Sequence, residues 1–315
     1  MKAIKIGLID FGARYSKYHS VHILNDIIDY AIHADKLGFS RYWMAEHHYL
    51  SRAWSNPEML LPVIAGMTRQ INVGVAGILL PAHSPYRIAL NFKLLGTLFP
   101  GRIDLGIANS APHKDMMRRL QDHAEESADR QTLFIRKIKE LFEYFLREQE
   151  LFEEDDTLIP PYKGTLPNIW NLGTSLPDHI SLNEAPPLHF CKSFFHNRST
   201  LEKETVIINT FRDKYYALTG KDPVLNVAFA GFYTPGKKKQ RRYDNGQNRA
   251  HAVSFSNYVH NSIEGNADFF YDTLHNYQEK LKVNEFIFLD LSYSFEERRE
   301  TLNMLSESFS LTPVS

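Results

Sequence analysis

Two kinds of hydrophobic pattern alternate along this chain. Short, nearly continuous apolar runs are separated by longer stretches in which apolar residues recur every three or four positions. The runs are Ile4 to Ile9, Phe39 to Ala45, Ile71 to Leu80, Arg102 to Ala108, Asn168 to Leu172, Leu188 to Phe195, Val224 to Tyr233 and Phe286 to Leu291. Continuous apolar strands are those buried on both faces, as in a parallel sheet covered by helices. The stretches between them read as the helices. Val21 to Leu37 carries Ile23, Ile27, Tyr30, Ala31, Ala34 and Leu37 on one face, and Gly38 is placed to end it. A second helix is expected from Ser55-Asn56-Pro57, with Ser55 or Asn56 as cap and Pro57 in the first turn. Others follow at Ser84-Pro85 to Phe99, Glu125 to Glu148, Ser199 to Leu218, Asn266 to Lys282 and Phe295 to Phe309. The segment 176–185 after the fifth strand is short and polar for a helix. This alternation predicts one closed (β/α)8 barrel (a TIM barrel) spanning residues 1–315, with an extended loop after strand seven. The loop, residues 234–262, contains the run Lys237-Lys-Lys-Gln-Arg-Arg242 and reads as a solvated loop or as a lid over an anionic ligand.

Composition narrows the function classes. At 315 residues, 43% hydrophobic and 23% charged, the chain can bury a large core. A net charge of −1 and one local basic run give no footprint for nucleic acid. No apolar run is long enough for a membrane span, and the first ten residues are too short an apolar run for a signal peptide, so a cytoplasmic protein is expected. The single cysteine, Cys191, excludes an internal disulfide and a cysteine-based metal site, and reads as a small buried hydrophobe.

A barrel of this kind carries its chemistry at the C-terminal ends of the strands. Strand two ends in Glu46-His47-His48. Neighbouring residues of an extended chain face opposite sides, so one histidine at most is expected in a given pocket. A histidine with its ordinary pKa of about 6.5 suits general acid–base work at neutral pH. Adjacent histidines are poorly spaced as metal ligands, and no metal site is expected. After strand five, Gly173-Thr174-Ser175 combines close backbone approach with two hydroxyls, a combination that can hold a phosphate or form a plain turn.

Several ordered segments resemble the bacterial-luciferase-like family of flavin-dependent monooxygenases. They are Ala34-Asp-Lys-Leu-Gly-Phe39, Trp43-Met-Ala-Glu-His-His48, Asn56-Pro57-Glu58, Ile71-Asn-Val-Gly-Val-Ala-Gly-Ile-Leu-Leu-Pro81 and Pro100-Gly-Arg-Ile-Asp-Leu-Gly-Ile107. The resemblance is close over residues 1–108 and weaker beyond. It implies a (β/α)8 barrel, a homodimer, and the use of reduced FMN from a separate flavin reductase to oxidise a small organic substrate with oxygen. It selects His47 as the catalytic histidine and makes Glu46 an orienting neighbour. It places Ala76 and Gly77 under the flavin ring, with a non-proline cis bond between them, and Gly173, Thr174 and Ser175 at the flavin phosphate. It matches the loop after strand seven to a mobile lid. One departure stands out. Where the family has an arginine that contacts the phosphate, this chain has Asn109 after Ala108, leaving Lys114 or the Lys237–Arg242 run as the replacement. Two alternatives stay open: an F420-dependent oxidoreductase on the same fold, and a non-catalytic flavin-binding or partner subunit.

Overall fold

The computed structural model describes residues 2–13, 19–48, 52–121, 129–147, 150–151, 153, 159–174, 176, 188–196, 199–235, 259–292 and 294–313. Nine strands form one parallel sheet: β1 Lys5–Asp10, β2 Arg41–Met44, β3 Asn72–Leu79, β4 Ile103–Ala108, β5 Asn168–Gly173, β6 His189–Ser193, β7 Leu225–Tyr233, β8 Ile263–Gly265 and β9 Glu285–Asp290. Each of β1 to β7 pairs in parallel with the next, β7 pairs with β9, and β9 pairs with β1. The result is the closed eight-stranded (β/α)8 barrel that the alternation predicts. The three-residue β8 is an addition. It extends only the far end of β7, pairing at Gly231 to Tyr233, beyond most of the β7–β9 ladder.

The described helices are α1 Ser20–Lys36, α2 Leu61–Met67, α3 Pro85–Leu98, α4 Lys114–Leu120, α5 Arg130–Leu146, α6 Leu201–Thr219, α7 Ala267–Leu281 and α8 Phe295–Ser308. Local signals explain most of their ends. Gly38 adopts φ +84° just past α1, and Ser84 caps α3 by accepting from the Arg87 amide. Three expectations need correction. Pro57 opens a 3-10 turn, Pro57–Met59, and the helix proper begins at Leu61. A short helix that the sequence reading did not include, α4, follows β4 from Lys114. The helix expected from Glu125 starts at Arg130, because Asp129 accepts from the amides of Gln131 and Thr132 and caps it there. Segment 177–187 and loop residues 236–258 lie outside the described residues.

Outward-facing strand residues pack on the helices as one large core, including Tyr42, Val73, Leu105, Phe190, Phe286 and Phe288. Inward-facing residues fill the barrel, with Trp43 and Trp170 in edge contact at 5.1 Å. The N-terminal end of the barrel is closed by a salt-bridged plug. Arg41 lies 4.6 Å over the Trp170 ring and bonds Asp104 at 2.5 Å and Glu285 at 2.8 Å. A second buried group ties the last helix to the first strand: Asp10 accepts from Arg298 at 2.5 Å and Tyr42 at 3.1 Å. The plug closes the barrel interior at this end.

Candidate active site

A cavity of about 730 Å³ opens at the C-terminal ends of β1 to β7. That volume is in the range of small-molecule and cofactor sites. Its floor is apolar: Ile9, Ala76, Leu172, Phe195 and Ala228 all line it. Cys191 is part of the same floor, buried, with its thiol pushed up by that burial and therefore unreactive.

His47 lines the cavity, and its ring meets Phe11 edge-on at 4.8 Å. Burial, then the positive field of Arg52, pulls its pKa down to about 3, so the imidazole is neutral at pH 7. The ordinary pKa expected from sequence is corrected on this point: the ring is a hydrogen-bonding group there rather than a half-charged one. His48 also lines the cavity. The expectation that only one of the two would do so fails because β2 ends at Met44, and strand alternation stops before the pair is reached.

Glu46 is buried beneath them. It accepts from His48 at 2.6 Å, from His83 at 2.8 Å and from the Leu79 amide at 2.9 Å. Burial alone would raise its pKa. The hydrogen bonds from His48 and His83 outweigh burial and hold the carboxylate at about 2. Glu46 therefore clamps the end of β2 to the end of β3.

On β3, Ala76 and Gly77 line the cavity and the bond between them is cis, as the resemblance implies. The β3–β4 register shifts between Val75 and Ile78 around this point. Only glycine fits at position 77: a Cβ would stand 2.7 Å from Leu172 Cδ1 and 2.9 Å from the Gly106 carbonyl.

The polar edge of the cavity comes from β4, β5 and α5. Register pairs Ala108 with Leu172, which brings Asn109 beside Gly173. Asn109, Gly173 and Thr174 line the cavity; Ser175 lies outside the described residues. The Asn109 amide donates to Gln131, and its Oδ1 is buried without a hydrogen-bond partner among the described residues. Arg130, the first residue of α5, lines the same cavity. Among the described residues it is the one lysine or arginine that does so. Lys114, nominated as a replacement cation, instead opens α4 on the surface and does not line the cavity.

Sequence reasoning missed Arg130 because the predicted helix began five residues too early, which placed Arg130 inside it rather than at its mouth. It also missed His83, whose pairing with Glu46 spans 37 residues and leaves no local signal. Sequence reasoning gave His196 no role either. It shares the cavity with His47, bonds Ser193, and is pulled down to about 4 by burial and by His260. The backbone amide of His260, at the end of the long loop, donates to the Phe195 carbonyl and anchors the loop's return at the cavity rim.

Comparison with known proteins identifies the arrangement. The family model described as luciferase-like monooxygenase matches residues 5–183. The chain belongs to this family. An Escherichia coli luciferase-like monooxygenase is 31% identical over 227 residues, covering 66% of this chain and 65% of that protein. The uncharacterised Bacillus subtilis protein YwcH is 36% identical over 148 residues, 45% of this chain and 43% of its own length. The matched region thus spans roughly half to two thirds of these curated relatives. Among solved structures, apo-MsnO8 superposes with a TM-score of 0.79 at 22% identity, covering 99% of this chain and 100% of that one. The oxygenating constituent of Pseudomonas putida 3,6-diketocamphane monooxygenase, in complex with FMN, gives 0.69 at 15% identity over 98% of each chain. An F420-dependent secondary alcohol dehydrogenase gives 0.66 at 14%, over the full length of both. At these identities the structural matches establish the shared barrel. No described helix is long and apolar enough to cross a membrane.

Proposed function

We propose that this protein is a two-component monooxygenase that takes reduced FMN from a separate flavin reductase and uses oxygen to oxidise a small, largely apolar organic substrate. The observation that carries this reading is the division of one cavity into an apolar floor and a polar edge that includes the cation Arg130. The floor suits a flat aromatic ring system. At the edge, Arg130, Thr174 and the Gly173 backbone suit one phosphate. The orphaned Asn109 Oδ1 suits a hydroxyl donor on the chain between ring and phosphate.

Reduced FMN bound there would supply the electrons for oxygen chemistry. This chain's residues do the rest. Ala76, Leu172 and Phe195 keep the floor dry, which protects a reactive flavin from water. The neutral His47 would offer a flavin held there one hydrogen-bonding nitrogen. Glu46 holds the His47–His48 segment still by its three bonds.

Among the described residues the cavity edge carries one cation, Arg130, which suits the single phosphate of FMN better than the polyanionic tail of F420. Anaerobic titration with FMN, reduced FMN and F420 tests this directly. FMN is expected to bind below tens of micromolar. With a reductase and NADH present, oxygen uptake should rise when a substrate is added. Absence of any flavin binding at tens of micromolar would overturn the reading. Binding without substrate-dependent oxygen uptake across a panel of apolar substrates would favour a non-catalytic subunit.

Exposed apolar residues on the helix layer support a homodimer. Met59, Val63 and Met67 are exposed at four-residue spacing along the 3-10 turn and α2, and Leu94 and Leu98 are exposed at the same spacing on α3. Light scattering should report a dimer, and Met67→Glu with Leu98→Glu should yield a folded monomer.

A further inference from the structure

On β6, Cys191 and Ser193 face the cavity, so Lys192 between them faces the helix layer. There it is almost fully enclosed, at 1% exposure, and its Nζ lies 2.8 Å from Oε2 of Glu204, itself 2% exposed. The same ammonium donates to the backbone carbonyl of Thr174 at 2.6 Å. Glu204 belongs to the first turn of α6, and β5–β6 register sets Lys192 opposite Gly173. The pair therefore links α6 to the turn that leaves β5, which forms part of the polar edge of the cavity.

A buried ion pair is a poor source of stability, because desolvating two charges offsets most of their attraction. Packed apolar residues would serve a purely structural purpose as well. What the pair does that apolar residues cannot is hold one carbonyl. With its oxygen drawn outward to Lys192, Thr174 cannot present the negative end of its peptide dipole to an anion in the cavity.

We propose that Lys192 and Glu204 are positioning residues that set the anion-accepting shape of the Gly173–Thr174 edge, and so determine preference for a phosphate-bearing flavin over the same flavin without phosphate. This rests on the FMN reading above. Without the pair, the Thr174 carbonyl is free to turn inward, where it would repel a phosphate. Neither residue lines the cavity, so binding of riboflavin is left as it was.

The test compares FMN and riboflavin, each titrated oxidised and reduced, on wild type and on Lys192→Met/Glu204→Gln, which removes both charges together. Lys93→Met is the control. Lys93 is equally buried and donates to a backbone carbonyl, that of Ile159 at 2.6 Å, but Ile159, unlike Thr174, does not line the cavity. Expected is a loss of about tenfold in FMN affinity in the double variant, the size of one lost hydrogen bond, with riboflavin within about twofold of wild type. The FMN-to-riboflavin ratio of Lys93→Met should match wild type whatever its melting temperature. If the double variant does not fold, Glu204→Gln, which keeps Lys192, should shift the ratio the same way by a smaller factor. A ratio unchanged in the folded variant, or equal losses for both flavins, overturns the proposal while leaving the FMN reading intact. A wild-type protein that does not distinguish FMN from riboflavin overturns the phosphate edge itself, and the proposal with it.

Discussion

Replacing Glu46 by glutamine keeps the side chain's shape and removes its charge. In the wild type, one carboxylate satisfies three donors: His48, His83 and the Leu79 amide, at 2.6, 2.8 and 2.9 Å. Glutamine offers one acceptor oxygen. If that oxygen keeps the Leu79 amide, the NH₂ group faces both histidines, and one donor pair is opposed. The size of the effect follows from the carboxyl's own titration. Its fall from an ordinary 4.5 to about 2 means the ionised form gains from folding. At neutral pH this is worth about 3 kcal/mol, at about 1.4 kcal/mol per tenfold change. A carboxyl lowered on folding contributes fully above its unfolded value of 4.5, and the contribution fades as pH falls towards 2. Urea unfolding of wild type and Glu46→Gln should therefore differ by about 3 kcal/mol at pH 7, with the gap closing between about pH 4.5 and 2. Flavin affinity should fall as well, since His47 and His48 lose their anchor. A gap below about 0.5 kcal/mol at pH 7, or one that does not change with pH, would refute the clamp.

Gly77→Ala places a methyl group 2.9 Å from the Gly106 carbonyl, which is backbone and cannot step aside; a loss of about 1–3 kcal/mol in thermal unfolding is expected, together with weaker flavin binding. His47→Gln should lower turnover by about a hundredfold with little change in flavin affinity, measured by steady-state kinetics with a reductase. Because burial holds His47 near 3, its neutral form is favoured by folding, and wild type loses stability as pH falls from 6.5 towards 3. His47→Gln removes that loss, so the variant should gain about 2 kcal/mol on wild type between pH 7 and pH 5; parallel pH profiles would contradict the assignment. Arg130→Ala should weaken FMN by about tenfold and leave riboflavin unchanged, which fluorescence titration can read.

Much of the fold was legible because its signal is local. The apolar runs mark strands wherever both faces are covered, and every one of the eight predicted strands has a counterpart in the barrel. Gly38 and Ser84 end and start their helices as read, since caps involve only near neighbours. Of the candidate site residues, His47, Ala76, Gly77, Asn109, Gly173 and Thr174 are brought together around one cavity, because the ends of parallel barrel strands converge at one rim. The start of α5 was misplaced for a reason that is also local: a run of charged residues before it looks helical, and only the Asp129 cap decides where the helix begins.

The sequence thus determined the barrel, the rim and the residue types available there, all of which depend on periodicity and chain order. Tertiary structure decided the electrostatics. His47 is neutral because it is buried beside Arg52, and Glu46 is ionised because His48 and His83 reach it from different segments. Tertiary structure also decided which cation lines the cavity. Asn109, Gln131 and Arg130 meet only where α5 returns over β4, and that return is set by packing of the helix on the barrel. Charge and solvation depend on everything within a few ångströms, whatever its distance along the chain, and no local pattern carries that information.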